Sequence, residues 1–354
     1  MHSGRHRNWV LVAALLFAVS GLSSTALAQR FQQTNLVSDL PNLAAWQDMN
    51  LKNSWGIAFA PGGPFWIADN GTGVSTLYKA DGTPLPLVVT IPPPMGAAGP
   101  SAPTGTVFNG TGDFVVSENG KMGPAFFIFD TEDGTISGWN PTVDRNNAVL
   151  VVDNSQSGAV YKGLAIAQTD DGSRLYATNF RSGRVEMYDS KFNWVGSFTD
   201  YNLPPGYAPF GIQTVGEKLF ITFALQDAAK HDDVAGRGHG FVDIFDLEGH
   251  FERRFASRHK LNSPWGVAVA PPTFGRFANK ILIGNFGDGR ISAFRRNGEF
   301  VGQLHDEKGV ILSINGLWSI TGGGGLGSTS DDFFFTAGLN DEADGLFGKL
   351  TPVR

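Results

Sequence analysis

Apolar and polar residues alternate in short segments along most of the chain, and the same order of segments recurs six times. Each unit opens with an apolar segment containing an early glycine and continues with a second apolar segment, a polar turn and a third, alternating segment. The openings are WGIAFA from Trp55, TGTVFN from Thr104, KGLAIA from Lys162, FGIQTV from Phe210, WGVAVA from Trp265 and NGLWSI from Asn315. Alternation with a period of two is typical of half-buried strands. The pattern therefore predicts six units of short β-strands.

The spacing of these units predicts a closed ring. Their glycines lie roughly 50 residues apart, which is the length of a propeller blade. A fourth strand follows in five units, whereas the sixth ends with the chain, and the segment 31–40 before the first unit has no partner of its own. We therefore predict an all-β protein: one six-bladed β-propeller at residues 29–354, with four-stranded blades and the last blade closed by the N-terminal strand. The alternative, a β-sandwich, does not explain a sixfold repeat.

The first 28 residues have the composition of a secretory signal peptide. Arg5 and Arg7 precede the apolar stretch 9–17, and Ala26-Leu27-Ala28 forms an A-x-A cleavage site. The apolar stretch is shorter than the roughly 20 residues that a membrane-spanning helix needs. We therefore expect residues 1–28 to be removed, and the remaining chain to be a secreted or periplasmic monomer without a membrane span.

The amino-acid composition limits the kinds of partner that the protein is expected to bind. The chain has no cysteine, so burial and ring closure must stabilise an exported protein without disulfides. The formal charge is -6, and loss of the two leader arginines makes it more negative. Because nothing supplies a basic face, we expect no nucleic-acid partner and look instead for a small-molecule or other extracellular ligand.

Several motifs carry a family resemblance. Blades that begin with WGIA or WGVA and continue to Ala68-Asp69-Asn70-Gly71 resemble the NHL-type six-bladed propellers, and AAKHDDVAGRGHGFVDIFD and NDEADGLFG are similar to signatures of a secreted bacterial propeller family of unassigned function. Gluconolactonase and regucalcin-type hydrolases are similar in blade number, but Asn53-Ser54-Trp55-Gly56 stands where their metal-binding Glu-Gly-Pro motif is expected. The histidine of the streptogramin-lyase type has no counterpart near Trp265 or Trp318. The resemblance implies the fold and leaves the reaction open.

The predicted architecture brings distant residues to one mouth of the central channel. The loops before the inner strands and the turns between second and third strands meet there, including the turn after FVVSEN in the second unit. The candidate ligand-binding residues are Trp55, Asn70, Glu118, Lys162, Asn179, Arg181, Trp265 and Asn285. Asparagines can instead stabilise their own turns, and tryptophans can pack in the core. Lys162 and Arg181 can bind an anionic group or pair with Glu118.

The corresponding turn of the fourth unit is about ten residues longer than its counterparts and is rich in titratable groups. It holds our candidates for catalysis: His231, Asp232, Asp233 and His239. Its length indicates a lid or binding loop, and its glycines allow it to curl. The two histidines are too far apart for a short-range zinc motif, but imidazoles transfer protons near neutral pH. The alternative is a solvated loop whose aspartates cap turns.

The turn of the sixth unit offers clustered carboxylates. Asp341, Glu342 and Asp344 supply the hard oxygen ligands that calcium or another divalent ion prefers, although an exposed acidic turn is the alternative.

The sequence thus predicts an exported propeller that binds a ligand or acts as a scaffold through a polar channel mouth. The alternatives are a metal-dependent or acid–base hydrolase or lyase acting at that mouth, and a structural cell-surface protein. Whether the protein is an enzyme, and which cofactor it uses, stays open.

Overall fold

The structure is a computed structural model and describes residues 1–2 and 29–353. The predicted signal peptide and its cleavage site lie outside the described residues, apart from Met1 and His2. Six four-stranded antiparallel blades surround a central channel, so the predicted six-bladed β-propeller is confirmed. Each inner strand contacts the inner strands of the two neighbouring blades, and blade 6 contacts blade 1. In the part of the chain that is described, no helix has the length and apolar character to cross a membrane.

The blades follow the chain, and each is given from its inner to its outer strand. Blade 1 has Ser54–Ala58, Phe65–Asp69, Val74–Tyr78 and Pro84–Thr90. Blade 2 has Pro103–Phe108, Phe127–Thr131, Thr135–Trp139 and Val149–Asp153. Blade 3 has Tyr161–Thr169, Gly172–Asn179, Arg184–Tyr188 and Trp194–Phe198.

The second half of the ring repeats this order. Blade 4 has Tyr207–Val215, Lys218–Leu225, Phe241–Phe245 and Phe251–Ser257. Blade 5 has Pro264–Val269, Ile281–Asn285, Ile291–Phe294 and Phe300–Gln303. Blade 6 has Leu317–Gly322, Phe333–Gly338, Asp344–Val353 and Arg30–Ser38. Short elements outside this pattern are Trp46–Gln47, Val115–Glu118, Lys121–Pro124, Ser155–Ser157, Gly275–Phe277, His305–Asp306 and Leu339–Glu342.

The N-terminal strand closes the ring, as predicted. Arg30–Ser38 pairs antiparallel with Asp344–Val353 over almost its whole length. Phe31 is fully buried, and its ring centroid lies 4.7 Å from that of Phe274 and 6.0 Å from that of Phe277. The closing strand therefore joins a hydrophobic core that blades 5 and 6 share.

The repeated glycine marks the contact between neighbouring blades. A Cβ atom built at Gly56 would lie 2.7 Å from the carbonyl oxygen of Thr104, and one built at Gly211 would lie 2.2 Å from that of Trp265. Side-chain carbons do not approach backbone atoms this closely. Glycine is therefore required where one inner strand passes the next.

The structure corrects the strand assignment of blade 2. The segment FVVSEN, predicted as the second strand, belongs to a hairpin in which Val115–Glu118 pairs with Lys121–Pro124 outside the blade sheet. The second strand is Phe127–Thr131, which pairs with the inner strand. Both segments alternate and both bury apolar side chains, so periodicity alone cannot tell which one joins the blade. The turn at the mouth is consequently Glu132-Asp133-Gly134 and does not contain Glu118.

The inner strand of blade 6 also begins later in the sequence than predicted. Gly316 has a φ of +64° and precedes the inner strand, which begins at Leu317. Leu317 pairs with Ala337 as Ser54 pairs with Asp69 in blade 1. Trp318 and Ser319 therefore occupy the places that Trp55 and Gly56 occupy in blade 1.

We predict that Phe31→Ala lowers the free energy of unfolding by roughly 3–5 kcal/mol, because it removes a buried ring from the closing strand. Phe251→Ala is the control, since Phe251 lies on an outer strand with 42% of its surface exposed. Urea denaturation of residues 29–354 measures both. Equal losses for the two variants would show that the N-terminal strand does not hold the ring closed.

Candidate functional site at the channel mouth

Six equivalent positions line the channel just below its mouth, the end at which the inner strands begin. They are Trp55, Thr104, Lys162, Phe210, Trp265 and Trp318. We call the four aromatic members the aromatic plug. Trp55 stacks on Trp318 with ring centroids 3.4 Å apart, and the ring centroids of Trp265 and Phe210 lie 5.9 Å and 5.8 Å from that of Trp318. The channel is thus filled beneath the mouth by large apolar side chains.

Lys162 is the charged member of this ring. Its side chain is 2% exposed, and Nζ lies 5.3 Å from the ring centroid of Trp55 and 6.0 Å from that of Phe180. Nζ donates hydrogen bonds to Oε1 of Glu132 and, at 3.1 Å, to Oδ1 of Asp232. Burial alone would lower the pKa of Lys162, but the two carboxylates outweigh it and raise that pKa overall. Lys162 therefore remains an ammonium ion under the mouth.

A chain of hydrogen bonds extends from Glu132 across the mouth. Oε2 of Glu132 accepts from Nδ2 of Asn70 at 2.8 Å, and Oδ1 of Asn70 accepts from Nδ2 of Asn53 at 3.1 Å. The same Nδ2 of Asn53 lies 2.7 Å from Oε2 of Glu342, and Oδ1 of Asn53 accepts from Nε1 of Trp318. The network joins the turns of blades 1, 2 and 6 to the aromatic plug.

The long turn of blade 4 lies against this network, and we call its residues 226–240 the lid loop. Asp232 reaches Lys162, and Nδ1 of His231 lies 2.8 Å from Oδ1 of Asp232. The side chain of Asp232 is 66% exposed, and that of His231 is 40% exposed. Partial burial works against ionisation of Asp232, but Lys162 and His231 together lower its pKa. Burial raises the pKa of Asp233, whose Oδ2 has no hydrogen-bond partner among the described residues.

Some predicted site residues have structural roles instead of contributing a polar group to this network. Asn179 accepts from the backbone N–H of Ser182 and donates to Glu186, so it stabilises its own turn. Asn285 donates to the carbonyl oxygen of Lys260 at 2.7 Å. Trp55 and Trp265 are buried in the aromatic plug, at 1% and 8% exposure, which leaves them no open face for stacking.

Three further candidates do not reach Lys162. Glu118 lies at the tip of the blade 2 hairpin and pairs in register with Lys121, so its predicted place at the mouth is wrong. Arg181 is exposed and forms no ion pair within the described ranges. Nδ1 of His239 lies 2.8 Å from the carbonyl oxygen of Val234, which holds His239 within the lid loop.

The acidic turn of blade 6 separates its three carboxylates. Asn340, Asp341 and Glu342 all have positive φ, which turns Glu342 towards Asn53 while Asp341 stays exposed. Asp344 accepts from Nδ2 of Asn340 at 2.7 Å. Among residues 1–2 and 29–353, Asp341, Glu342 and Asp344 do not form a group of converging ligand atoms. The acidic turn thus contributes one carboxylate to the mouth.

Another set of residues has the spacing of a metal site. Atoms of Glu132, His231 and Asp232 all lie within 4.8 Å of one another. However, both carboxylates of this set already bind the buried ammonium of Lys162, and a divalent ion would meet that like charge at close range. The residues therefore do not fit a resident divalent ion while Lys162 is protonated, because Lys162 supplies the positive charge itself.

Relatives were found by comparison with known proteins. The chain is 35% identical over 327 residues to uncharacterized protein R648 of Acanthamoeba polyphaga mimivirus, covering 89% of this chain and 78% of R648. It is 34% identical over 327 residues to uncharacterized protein L690 of the same virus, covering 89% and 84%. The chain belongs to the family of these mimivirus proteins. These family members are viral, so they do not support the resemblance to a secreted bacterial family. No family model matches the sequence.

Solved structures share the fold of this family member. Virginiamycin B lyase from Staphylococcus aureus, in a catalytically inactive form with quinupristin, has a TM-score of 0.53 at 14% identity over 92% of this chain and 100% of the lyase. A gluconolactonase from Xanthomonas campestris has a TM-score of 0.53 at 13% identity over 86% of this chain and 87% of the lactonase. At such low identity the likeness establishes the propeller fold alone.

We predict that Lys162→Ala lowers the free energy of unfolding by about 3–5 kcal/mol, because it leaves buried carboxylate charge uncompensated. Lys218→Ala, which breaks the exposed Lys218–Glu252 pair, is the matched control and should cost far less. Urea denaturation at neutral pH measures both variants.

The Lys162→Ala variant also tests whether Lys162 supplies the positive charge that a metal ion would otherwise provide. Added Ca²⁺ or Zn²⁺ should leave the Tm of the wild type unchanged and raise the Tm of Lys162→Ala, because the alanine opens the carboxylate cluster to a cation. A rise of equal size in the wild type would show that Lys162 does not take the place of a metal ion.

Proposed function

We propose that the protein binds a small polar ligand at the channel mouth. The observation that carries this proposal is that charged and amide side chains from five blades meet at the mouth, where two of the carboxylates bind the buried ammonium of Lys162. Burying charge is costly, and the neighbouring ring positions show that apolar side chains can fill the channel. Clusters of perturbed titratable groups are characteristic of functional sites.

The charges at the mouth favour a ligand that donates hydrogen bonds. Glu132, Asp232 and Glu342 bring three carboxylates against the single ammonium of Lys162. Burial raises the pKa of Glu342; the charges of Glu132 and Asp232 add to this effect, whereas the hydrogen bond from Asn53 and the charge of Lys162 oppose it. When ionised, these carboxylates accept hydrogen bonds and donate none. We therefore infer a ligand rich in hydroxyl groups or one that carries a cationic amine or guanidine.

Acid–base catalysis at the mouth is a second candidate function. Oδ1 of Asp232 lies 2.8 Å from Nδ1 of His231, and the imidazole is 40% exposed. A carboxylate that holds one ring nitrogen orients the other nitrogen for proton transfer. His231 would then exchange a proton with the bound ligand at Nε2. The lyase and lactonase with the same fold show that propellers can host enzymes, and they support nothing narrower.

We predict that one or more of glucose, glucosamine and arginine raises the Tm of the wild type and binds with a Kd measurable by calorimetry. Asp232→Asn should weaken binding about tenfold or more without loss of folding, because a charge-assisted hydrogen bond contributes about 1.5–3 kcal/mol and Asp232 is largely exposed. Glu132→Gln should weaken it as well. His250→Gln is the matched control, since His250 pairs with Asp246 at 2.9 Å on an exposed turn outside the mouth.

The outcomes separate the two candidate functions. If none of the three probes binds, or if Asp232→Asn and Glu132→Gln bind as tightly as the wild type, the mouth is not the binding site. Turnover of a bound probe that His231→Gln abolishes and His250→Gln preserves would favour catalysis. Binding without turnover would favour a binding protein.

We also propose that the protein is exported, on the strength of its leader composition. Expression of the full chain in a bacterial host should then yield a periplasmic or secreted product whose intact mass corresponds to residues 29–354. Replacing Ala28 with arginine should block cleavage, because the signal-peptide site requires small residues. Wild-type protein that keeps residues 1–28 would show this proposal to be wrong.

A further inference from the structure

A second polar cavity lies between blades 4 and 5, away from Lys162. It has a volume of about 380 Å³, and its wall includes Arg237, His259, Lys260, Asp288, Arg290 and Gln303. Three of these side chains carry permanent positive charge, a fourth is an imidazole, and one is acidic. The formal charge of the chain is -6, so this local excess of positive charge does not follow from the overall composition.

The positive charges in this cavity are poorly compensated. Within the described residues, neither Arg237 nor Lys260 takes part in an ion pair. Arg290 has Asp288 as its partner only at 3.9 Å, and Asp288 itself accepts from Asn285 at 3.0 Å. Guanidinium and ammonium groups gathered without counter-charges attract anions, and arginine does so with two parallel hydrogen bonds.

The backbone that carries these cations is held in place on both sides. Residues 258–263 begin with two left-handed residues, Arg258 and His259, each at a φ of +48°. The carbonyl oxygen of Lys260 accepts from Nδ2 of Asn285 at 2.7 Å, and Oδ1 of Asn262 accepts from the N–H of Gly236 at 2.6 Å. A ligand therefore meets a preorganised wall and does not have to order the chain. This also explains the role of Asn285, which positions Lys260.

A larger apolar cavity adjoins the charged one. It has a volume of about 580 Å³, and His259, Lys260 and Leu261 line both cavities. Its wall includes the side chains of Phe255, Phe294 and Phe300. The nearby Arg254 is engaged by Asp200 and Asp243, so it does not offer a free charge. The two cavities together present an apolar surface beside a cationic one.

We propose that this junction of blades 4 and 5 binds an amphipathic anion, in which a carboxylate or phosphate group is joined to an aromatic or aliphatic body. The anionic group contacts Arg237, Lys260 and Arg290, and the apolar body contacts the phenylalanines. The anion site shares no residue with the hydrogen-bond network around Lys162 at the channel mouth.

Isothermal titration of residues 29–354 with phenyl phosphate, benzoate, inorganic phosphate and phenol tests this proposal. Phenyl phosphate or benzoate should bind more tightly than inorganic phosphate and phenol, and the order of the first two distinguishes the phosphate from the carboxylate. Arg237→Gln and Lys260→Gln should each weaken binding roughly tenfold or more, since a charge-assisted hydrogen bond contributes about 1.5–3 kcal/mol. Arg145→Gln, at an exposed position in blade 2, is the control and should leave binding unchanged.

Phe300→Ala separates the two parts of the site. Phe300 is 42% exposed, so its loss should leave the fold intact. It should weaken phenyl phosphate binding and leave the weak binding of inorganic phosphate unchanged. Failure of both aromatic anions to bind the wild type at low salt, or equal affinity in the double variant Arg237→Gln, Lys260→Gln, would overturn the proposal.

Discussion

The inner strands pass one another so closely that the residue facing the next blade has no room for a side chain in four of the six blades, at Gly56, Gly105, Gly211 and Gly266. A Cβ atom at Gly105 would lie 2.4 Å from the backbone nitrogen of Leu164, and similar overlaps occur around the ring. This constraint fixes the sequence repeat. It also directs the residue before each glycine towards the axis, where the space must be filled.

Lys162 makes the channel mouth polar, because it places a charged group at a position that other blades fill with apolar side chains. Large aromatic side chains fill the axis from blades 1, 4, 5 and 6, but blade 3 places an ammonium ion there. A buried cation requires nearby carboxylates, and Glu132 and Asp232 provide them from two separate turns. The polarity of the mouth follows from this one charge, and Asp232 joins the lid loop to it. The same charge occupies the region in which a metal ion would otherwise be expected from the ligand geometry.

The fold was predictable because a sixfold pattern of glycines and alternating strands leaves few alternatives. Segment 31–40, which has no partner in the first unit, also indicated that the N-terminal strand closes the last blade. The site was predictable only in part. Lys162, Asn70, His231 and Asp232 come together, but Glu132 was missed because two alternating segments compete for the second strand of blade 2. The turn TEDG after the apolar segment FFIFD was the available signal. Trp318 was missed because Gly316 was taken for the repeat glycine, although the residue at the position of that glycine is Ser319, three residues later.

The lid loop reaches two separate places, and this has a thermodynamic consequence. Near the middle of the loop Asp232 binds Lys162 at the channel mouth, and farther along the N–H of Gly236 donates to Asn262 while Arg237 lines the cationic cavity. Only residues 233–235 separate Asp232 from Gly236, too few to absorb a displacement independently. A ligand that shifts the loop at one end must therefore alter occupancy at the other, and the coupling is reciprocal: each ligand changes the affinity of the other by the same factor. If both proposed ligands bind, this single turn of blade 4 couples them and makes their binding cooperative.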